Sequence, residues 1–127
     1  MIAAGIGCKR GTAHDDIEAI VLAALAAHNI DCTRLDAIAT AASKSDEPGI
    51  EAAAQILGVT LVACTEAQLA SACDRVITLS ARVQALKGVP SIAEASAIVA
   101  AGRNARLLGA RIATGTATCA IAQGDGP

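Results

Sequence analysis

The feature that most constrains this chain lies at its start. Residues 2–7, Ile-Ala-Ala-Gly-Ile-Gly, are short and apolar without alternation, the pattern of a strand buried on both faces. They lead into Gly5-Ile6-Gly7-Cys8-Lys9-Arg10-Gly11, a glycine-rich turn with two adjacent cations, and then into a helical pattern from Asp15 to His28. Strand, glycine turn and helix are a recurring way to build a binding site from backbone N–H groups. The rest of the chain is read as holding this turn at the end of a small sheet.

What fills the core of such a sheet is unusual. Apolar residues make up 54% of the chain, yet it has no Phe, Tyr or Trp. Ala, Val, Ile and Leu must supply the packing, so helices and strands can approach closely through many small contacts. The missing aromatics also remove stacking platforms for single-stranded nucleic acid, cation–π cages and aromatic sugar platforms. A net charge of −2 leaves no overall basic footprint for DNA or RNA. The 127 residues suit one compact domain. Cys8, Cys32, Cys64, Cys73 and Cys119 are odd in number and form no C-x-x-C pair. With the N-terminus running directly into a strand and no apolar run of membrane-spanning length, the expectation is a soluble protein of the reduced cytoplasm. Two histidines and scattered cysteines give no metal-site spacing, so no metal site is expected.

The remaining elements follow from turn and capping signals. Thr12, with Asp15 three residues on, reads as the N-cap of the first helix, whose stripe is Ile17, Ile20, Val21, Ala24 and Leu25. Leu35–Ala41 reads as a second strand, Gly49–Leu57 as a helix stopped by Gly58, and Val59–Ala63 as a third strand. Thr65 caps a helix over Glu66–Ala72, with Gln68 at the capping-box position. Residues 73–88 fit either a short helix or an extended segment. Ser91 and Glu94 form a full capping box for a helix containing Ile92, Ala95, Ile98 and Val99, and Gly102 stops it. Arg106–Thr114 and Thr116–Ala122, joined around Gly115, suggest an antiparallel hairpin. Residues 123–127 read as a short flexible tail after a domain of residues 1–122.

Four motifs in this order resemble the CobE/CbiG C-terminal family of cobalamin biosynthesis, the stand-alone CobE-like form more than the fused one. They are Gly5-Ile6-Gly7-Cys8-Lys9-Arg10-Gly11, Lys44-Ser45-Asp46-Glu47-Pro48-Gly49, Gly88-Val89-Pro90-Ser91-Ile92-Ala93-Glu94-Ala95 and Ala117-Thr118-Cys119-Ala120-Ile121-Ala122. The first motif of the family reads GCRRG. Lys9 replaces its first Arg, which keeps the charge but loses a planar fork. Pattern and resemblance together imply a single three-layer α/β/α domain with a mixed, mostly parallel sheet and a C-terminal antiparallel hairpin. The resemblance also implies a role in the corrin-ring pathway. The fused relative opens the δ-lactone of cobalt-precorrin-5A and releases acetaldehyde, but 127 residues leave no room for its other domains, so that activity is not carried over directly.

The candidate site follows from these motifs. Gly7, Cys8, Lys9, Arg10 and Gly11 read as a cradle for carboxylates, of which a corrin intermediate carries many as acetate and propionate arms. The bland alternative is a tight turn with two solvated cations. The spacing is not G-x-G-x-x-G, which disfavours a dinucleotide. Cys8 near a helix start and two cations could be a nucleophile with His14 as its base, but packing beneath the turn is the simpler reading. Lys44 and Asp46, at the end of the second strand, fall on the same rim if the strands are parallel. Asp46 or Glu47 is the candidate catalytic carboxylate, with Glu47 ranked lower because a helix start accounts for it. Thr118 is a possible ligand contact. The expected partner is a polycarboxylate corrin intermediate, bound by a carrier or accessory protein that also meets other enzymes of the pathway. The alternative is a hydrolase acting on a lactone of the cobalt-precorrin-5A type. No directly bound cofactor is expected, and cobalt would arrive only inside a corrinoid.

Overall fold

A computed structural model of the chain describes residues 1–72, 92–109 and 111–126. The readings for residues 73–88 and for Ser91 as a cap lie outside the described residues. Within them, strand β1 (Ile2–Cys8) is followed by helix α1 (His14–Ala27), β2 (Ala37–Ala41), α2 (Pro48–Leu57), β3 (Thr60–Cys64) and α3 (Glu66–Ser71). Helix α4 (Ile92–Ala101) then leads to β4 (Arg106–Leu107), β5 (Ile112–Ala113) and β6 (Ala117–Gln123). The sheet order is β3-β2-β1-β6-β4, with β5 also on β6. Pairing is parallel from β1 through β2 to β3 and antiparallel around β6. The expected mixed sheet with its C-terminal antiparallel pairing is therefore present, its first arm interrupted between β4 and β5. No helix among the described residues is long and apolar enough to cross a membrane.

Period-two alternation divides the strands between two cores of different texture. Ile2, Ala4 and Ile6 of β1, Ile38 of β2 and Cys119 and Ile121 of β6 face α1 and α2, where Ile17, Ile20, Leu25 and Ile50 complete an isoleucine-rich layer. Ala3 of β1, Ala39 and Ala41 of β2 and Ala122 of β6 face α3 and α4 through a layer made mostly of alanine. Small side chains on both sides let α4 sit almost on the backbone of the sheet. A Cβ built on Gly5 would lie 1.8 Å from the Ala93 carbonyl oxygen and 2.6 Å from the Ala97 nitrogen. Gly5 is thus a packing glycine, not part of the ligand cradle. Ser96, buried in α4, donates back to the Ile92 carbonyl, which satisfies its hydroxyl within the helix.

Local signals held for α2, α3 and α4. Gly58 closes α2 at φ +70°, and Thr65 with Gln68 forms the reciprocal capping box of α3. Gly102 follows α4 at φ +85°. Thr12 differs from expectation. The N-cap of α1 is Ala13, which makes no side-chain cap. The Thr12 hydroxyl instead donates to the Lys9 carbonyl at 2.7 Å and closes the glycine turn on itself. Residues 123–126, read from sequence as a tail, are tied in: Gln123 pairs with Ile2, Gly124 N–H donates to Met1 O and Gly126 N–H to Ala101 O, both at 2.9 Å.

Candidate functional site

Because β1 and β2 are parallel and Gly5 is level with Ala39, their C-terminal ends emerge side by side. Antiparallel β6 begins beside the end of β1, with Ala117 opposite Cys8. Three loops therefore meet on one rim: the turn of residues 8–13, the segment 42–47 before α2, and the hairpin turn 114–116. The buried Thr40 hydroxyl ties β2 to the Ile6 carbonyl at 2.8 Å just below them. The rim brings together the turn of Gly7, Cys8, Lys9, Arg10 and Gly11 with Lys44, Asp46 and Glu47, as the sequence reading expected of a parallel pair, and antiparallel β6 adds Thr118 opposite Gly7.

Its chemistry differs from a free anion cradle. Lys9 N–H donates to Thr116 O at 2.9 Å and Thr12 N–H to Lys9 O at 3.2 Å. Gly11 N–H donates to Glu47 Oε1 at 2.5 Å. These backbone donors are occupied by the chain itself, one of them by its own carboxylate. What faces outward are the exposed side chains of Lys9 and Arg10, with half-buried Lys44 and exposed Asp46 on the neighbouring loop. Gly7 is glycine because a Cβ there would stand 2.7 Å from the Thr118 hydroxyl, which lies 3.3 Å from Gly7 O. Gly11, at φ +81°, is needed for its backbone conformation.

Two hollows flank the turn. One of about 230 Å³ lies between Gly7–Lys9 and Thr114–Thr118. The other, about 380 Å³, lies between Gly11–His14 and the start of α2 at Glu47–Gly49. A third, about 290 Å³, sits around Asn104, Arg106 and Gln123–Asp125. It opens at the opposite end of the sheet, where β6 ends beside the start of β1.

Cys8 does not have the electrostatics of an activated nucleophile. Burial raises its thiol pKa, and the nearby Glu47 charge raises it further. The opposing effects of Lys44 and a hydrogen bond with Thr12 are smaller. His14, considered as its base, is held instead by Glu18 at 2.7 Å across one turn of α1, which raises the imidazole pKa. Burial pushes the thiols of Cys64 to about 11 and of Cys119 to about 12. Both are inert core residues.

The sequence reading ranked Glu47 below Lys44 and Asp46, yet Glu47 is the buried acid of the rim, 7% exposed. One signal could have marked it. An N-cap position favours a short polar side chain, and Glu directly before the Pro48 that opens α2 is out of place there. The second loop contact missed was Thr116, signalled by the alternating hydroxyls of Thr114, Thr116 and Thr118.

Comparisons with known proteins agree on a family. The family model described as "Cobalamin synthesis G C-terminus" matches residues 2–122. The chain is 34% identical over 118 residues to "Protein CobE" of a Sinorhizobium species, covering 93% of this chain and 77% of that one. Among solved structures, it resembles CobE, described as a protein from the cobalamin (vitamin B12) biosynthetic pathway. That likeness has a TM-score of 0.88 and 32% identity, covering 100% of this chain and 92% of the other. It also resembles the cobalamin biosynthesis protein chiG of Agrobacterium tumefaciens, with a TM-score of 0.78, 38% identity, and 98% and 99% of the two chains covered. The β1 turn and the α2 and β6 segments that form the rim all fall inside the matched residues. The chain belongs to the cobalamin synthesis G C-terminus family and is a protein of cobalamin biosynthesis.

Proposed function

We propose that this protein binds a polycarboxylate corrin intermediate across the rim, as a carrier or accessory protein of the cobalamin pathway. The observation that carries the reading is the convergence of Lys9, Arg10 and Lys44 on one end of the sheet while the Lys9, Gly11 and Thr12 N–H groups beneath them are already occupied. Cationic side chains on flexible stems suit several carboxylates spaced around one macrocycle. The two flanking hollows, about 230 Å³ beside Lys9 and about 380 Å³ beside Gly11, lie below and at the low end of the roughly 300–1,000 Å³ that encloses a drug-sized ligand, and a corrin macrocycle is larger than such a ligand. A macrocycle therefore lies over the rim, with single arms reaching into the flanking hollows. Thr118 and Cys8 line the one beside Lys9. A carrier of this kind exchanges its ligand with other enzymes of the pathway. The compartment proposed is the reducing cytoplasm, which suits free thiols at Cys8, Cys32, Cys64 and Cys119.

Lactone hydrolysis has less support. Glu47 is committed to Gly11, and Cys8 is held as a neutral thiol. Asp46 remains the acid to test for that alternative. Titrating the protein with hydrogenobyrinic acid, followed by its corrin absorbance bands and by co-elution, tests binding. The expected result is a band shift at micromolar protein that weakens with salt and is lost when Lys9 and Arg10 are both replaced by Ala. No shift and no co-elution overturns the reading. Full binding by Asp46→Asn, together with loss of lactone turnover, would move the assignment to the hydrolase.

A further inference from the structure

Glu47 occupies the N-cap of α2, and its carbonyl accepts the first helical bonds, from Ile50 and Glu51. Its side chain makes no cap bond to that helix. The carboxylate instead reaches 36 positions back to the β1 turn, where Oε1 accepts the Gly11 N–H. Burying a carboxylate is costly unless it is hydrogen-bonded and electrostatically compensated. Here Gly11 supplies the bond. The first turns of α1 and α2, which line the same hollow, supply the positive ends of two helix dipoles.

The joint is completed by Gly49. A Cβ on it would lie 2.1 Å from the Thr12 carbonyl oxygen, so α2 begins in direct backbone contact with the turn. On the other side of the turn, Lys9 is held to Thr116. Lys9 and Arg10 thus sit between two anchors, Thr116 and Glu47.

The geometry points to Glu47 as a positioning residue: its carboxylate fills the turn's own carboxylate site at Gly11 and fixes the Lys9–Arg10 turn against the Lys44 loop. This deepens the corrin-binding reading and rests on it. Two consequences follow from the arrangement. An incoming ligand arm meets the Lys9 and Arg10 side chains, because the Gly11 N–H is already taken. Shortening the Glu47 side chain leaves a space that a small carboxylate from solution can refill.

Glu47→Ser isolates this role, because serine is a favoured N-cap and keeps α2 while removing the reach to Gly11. Glu47→Gln retains volume and an acceptor oxygen. The readouts are the backbone amide resonance of Gly11 and the affinity for hydrogenobyrinic acid, with circular dichroism confirming the fold. In Glu47→Ser the Gly11 amide should shift and return toward its wild-type position on adding formate, which leaves the wild-type protein unmoved. Affinity for hydrogenobyrinic acid should fall roughly tenfold, recover with formate, and stay near wild type in Glu47→Gln. A Glu47→Ser variant that binds the corrin as tightly as wild type overturns the positioning role. A Gly11 amide indifferent to formate in that variant overturns the carboxylate site. If wild type itself binds no hydrogenobyrinic acid, the corrin reading and the positioning of its ligand fall together, while the site at Gly11 still stands or falls on its formate response.

Discussion

Replacing Gly5 by Ala tests the tightest contact in the molecule, the seat of α4 on β1. The added methyl would stand 1.8 Å from Ala93 O, 2.6 Å from Ala97 N and 2.7 Å from Ser96 Oγ. Carbon–oxygen contacts between packed backbones settle at about 3.3–3.6 Å, so the helix must retreat by roughly 1.5 Å at that point. A gap of about 0.5–1 Å already forfeits a quarter to a half of each dispersion contact, and the alanine layer on both sides of α4 would open together. Overpacking typically costs about 1–3 kcal/mol. The atoms struck here include the backbone of two successive helical turns, which puts Gly5→Ala at about 3 kcal/mol. In a domain of this size that lowers Tm by roughly 10–15 °C. Thermal unfolding followed by circular dichroism measures it, with Gly115→Ala as the control. A Cβ on Gly115 meets nothing within 4 Å, so that variant should stay within about 0.5 kcal/mol of wild type. A Gly5→Ala protein melting as close to wild type as the control would refute a backbone-limited contact between α4 and β1.

Two further outcomes are expected of the fold. Thr65→Ala removes the acceptor of the Gln68 N–H and half of the α3 capping box, and should cost about 1 kcal/mol in urea unfolding; a midpoint matching wild type would show the box to be ornamental. The buried thiols of Cys64 and Cys119, raised from an ordinary 9.0 to about 11 and about 12, are neutral in both states well below pH 9. Above it the unfolded chain releases protons that the folded chain keeps, so stability falls as pH rises from 9 toward 11 and 12. The two thiols together remove about 2 kcal/mol between pH 9 and 10. In Cys119→Ala that drop should be about halved, and an undiminished drop would assign it to other groups.

How much of the fold was legible depended on whether a signal was local. Capping at Thr65, the αL stop at Gly58 and the hairpin around Gly115 are each decided within a few residues, and each was read correctly. Thr12 is the local signal that misled. Threonine three residues before Asp15 fits a cap, but closing the turn onto the Lys9 carbonyl offered its hydroxyl a partner before the helix began. Gly5 is the opposite case. It sits two residues from Gly7 and three from Cys8, so the sequence groups it with the turn. Its reason for being glycine is α4, nearly ninety residues away, and no local pattern encodes that proximity.

The rim was legible in outline because parallel strands bring their C-terminal ends together, and two βα connections then place Lys9, Arg10, Lys44 and Asp46 without further information. Where the hydrogen bonds go was not legible. Glu47 looked like a favourable charge at a helix start, a reading complete in itself, and only the fold shows Gly11 within its reach. That one bond changes what the turn can offer. With Gly11 N–H given to Glu47, Lys9 N–H to Thr116 and Thr12 N–H to Lys9, three of the turn's backbone donors are withdrawn from directional recognition of a small anion. Long-range charge on side chains remains, and charge without fixed direction gains most from a ligand that presents several carboxylates at once, each cation adjusting to a different arm. A single acetate should therefore bind this rim far more weakly per carboxylate than a polycarboxylate corrin does, and the affinity gap should shrink as salt screens the rim.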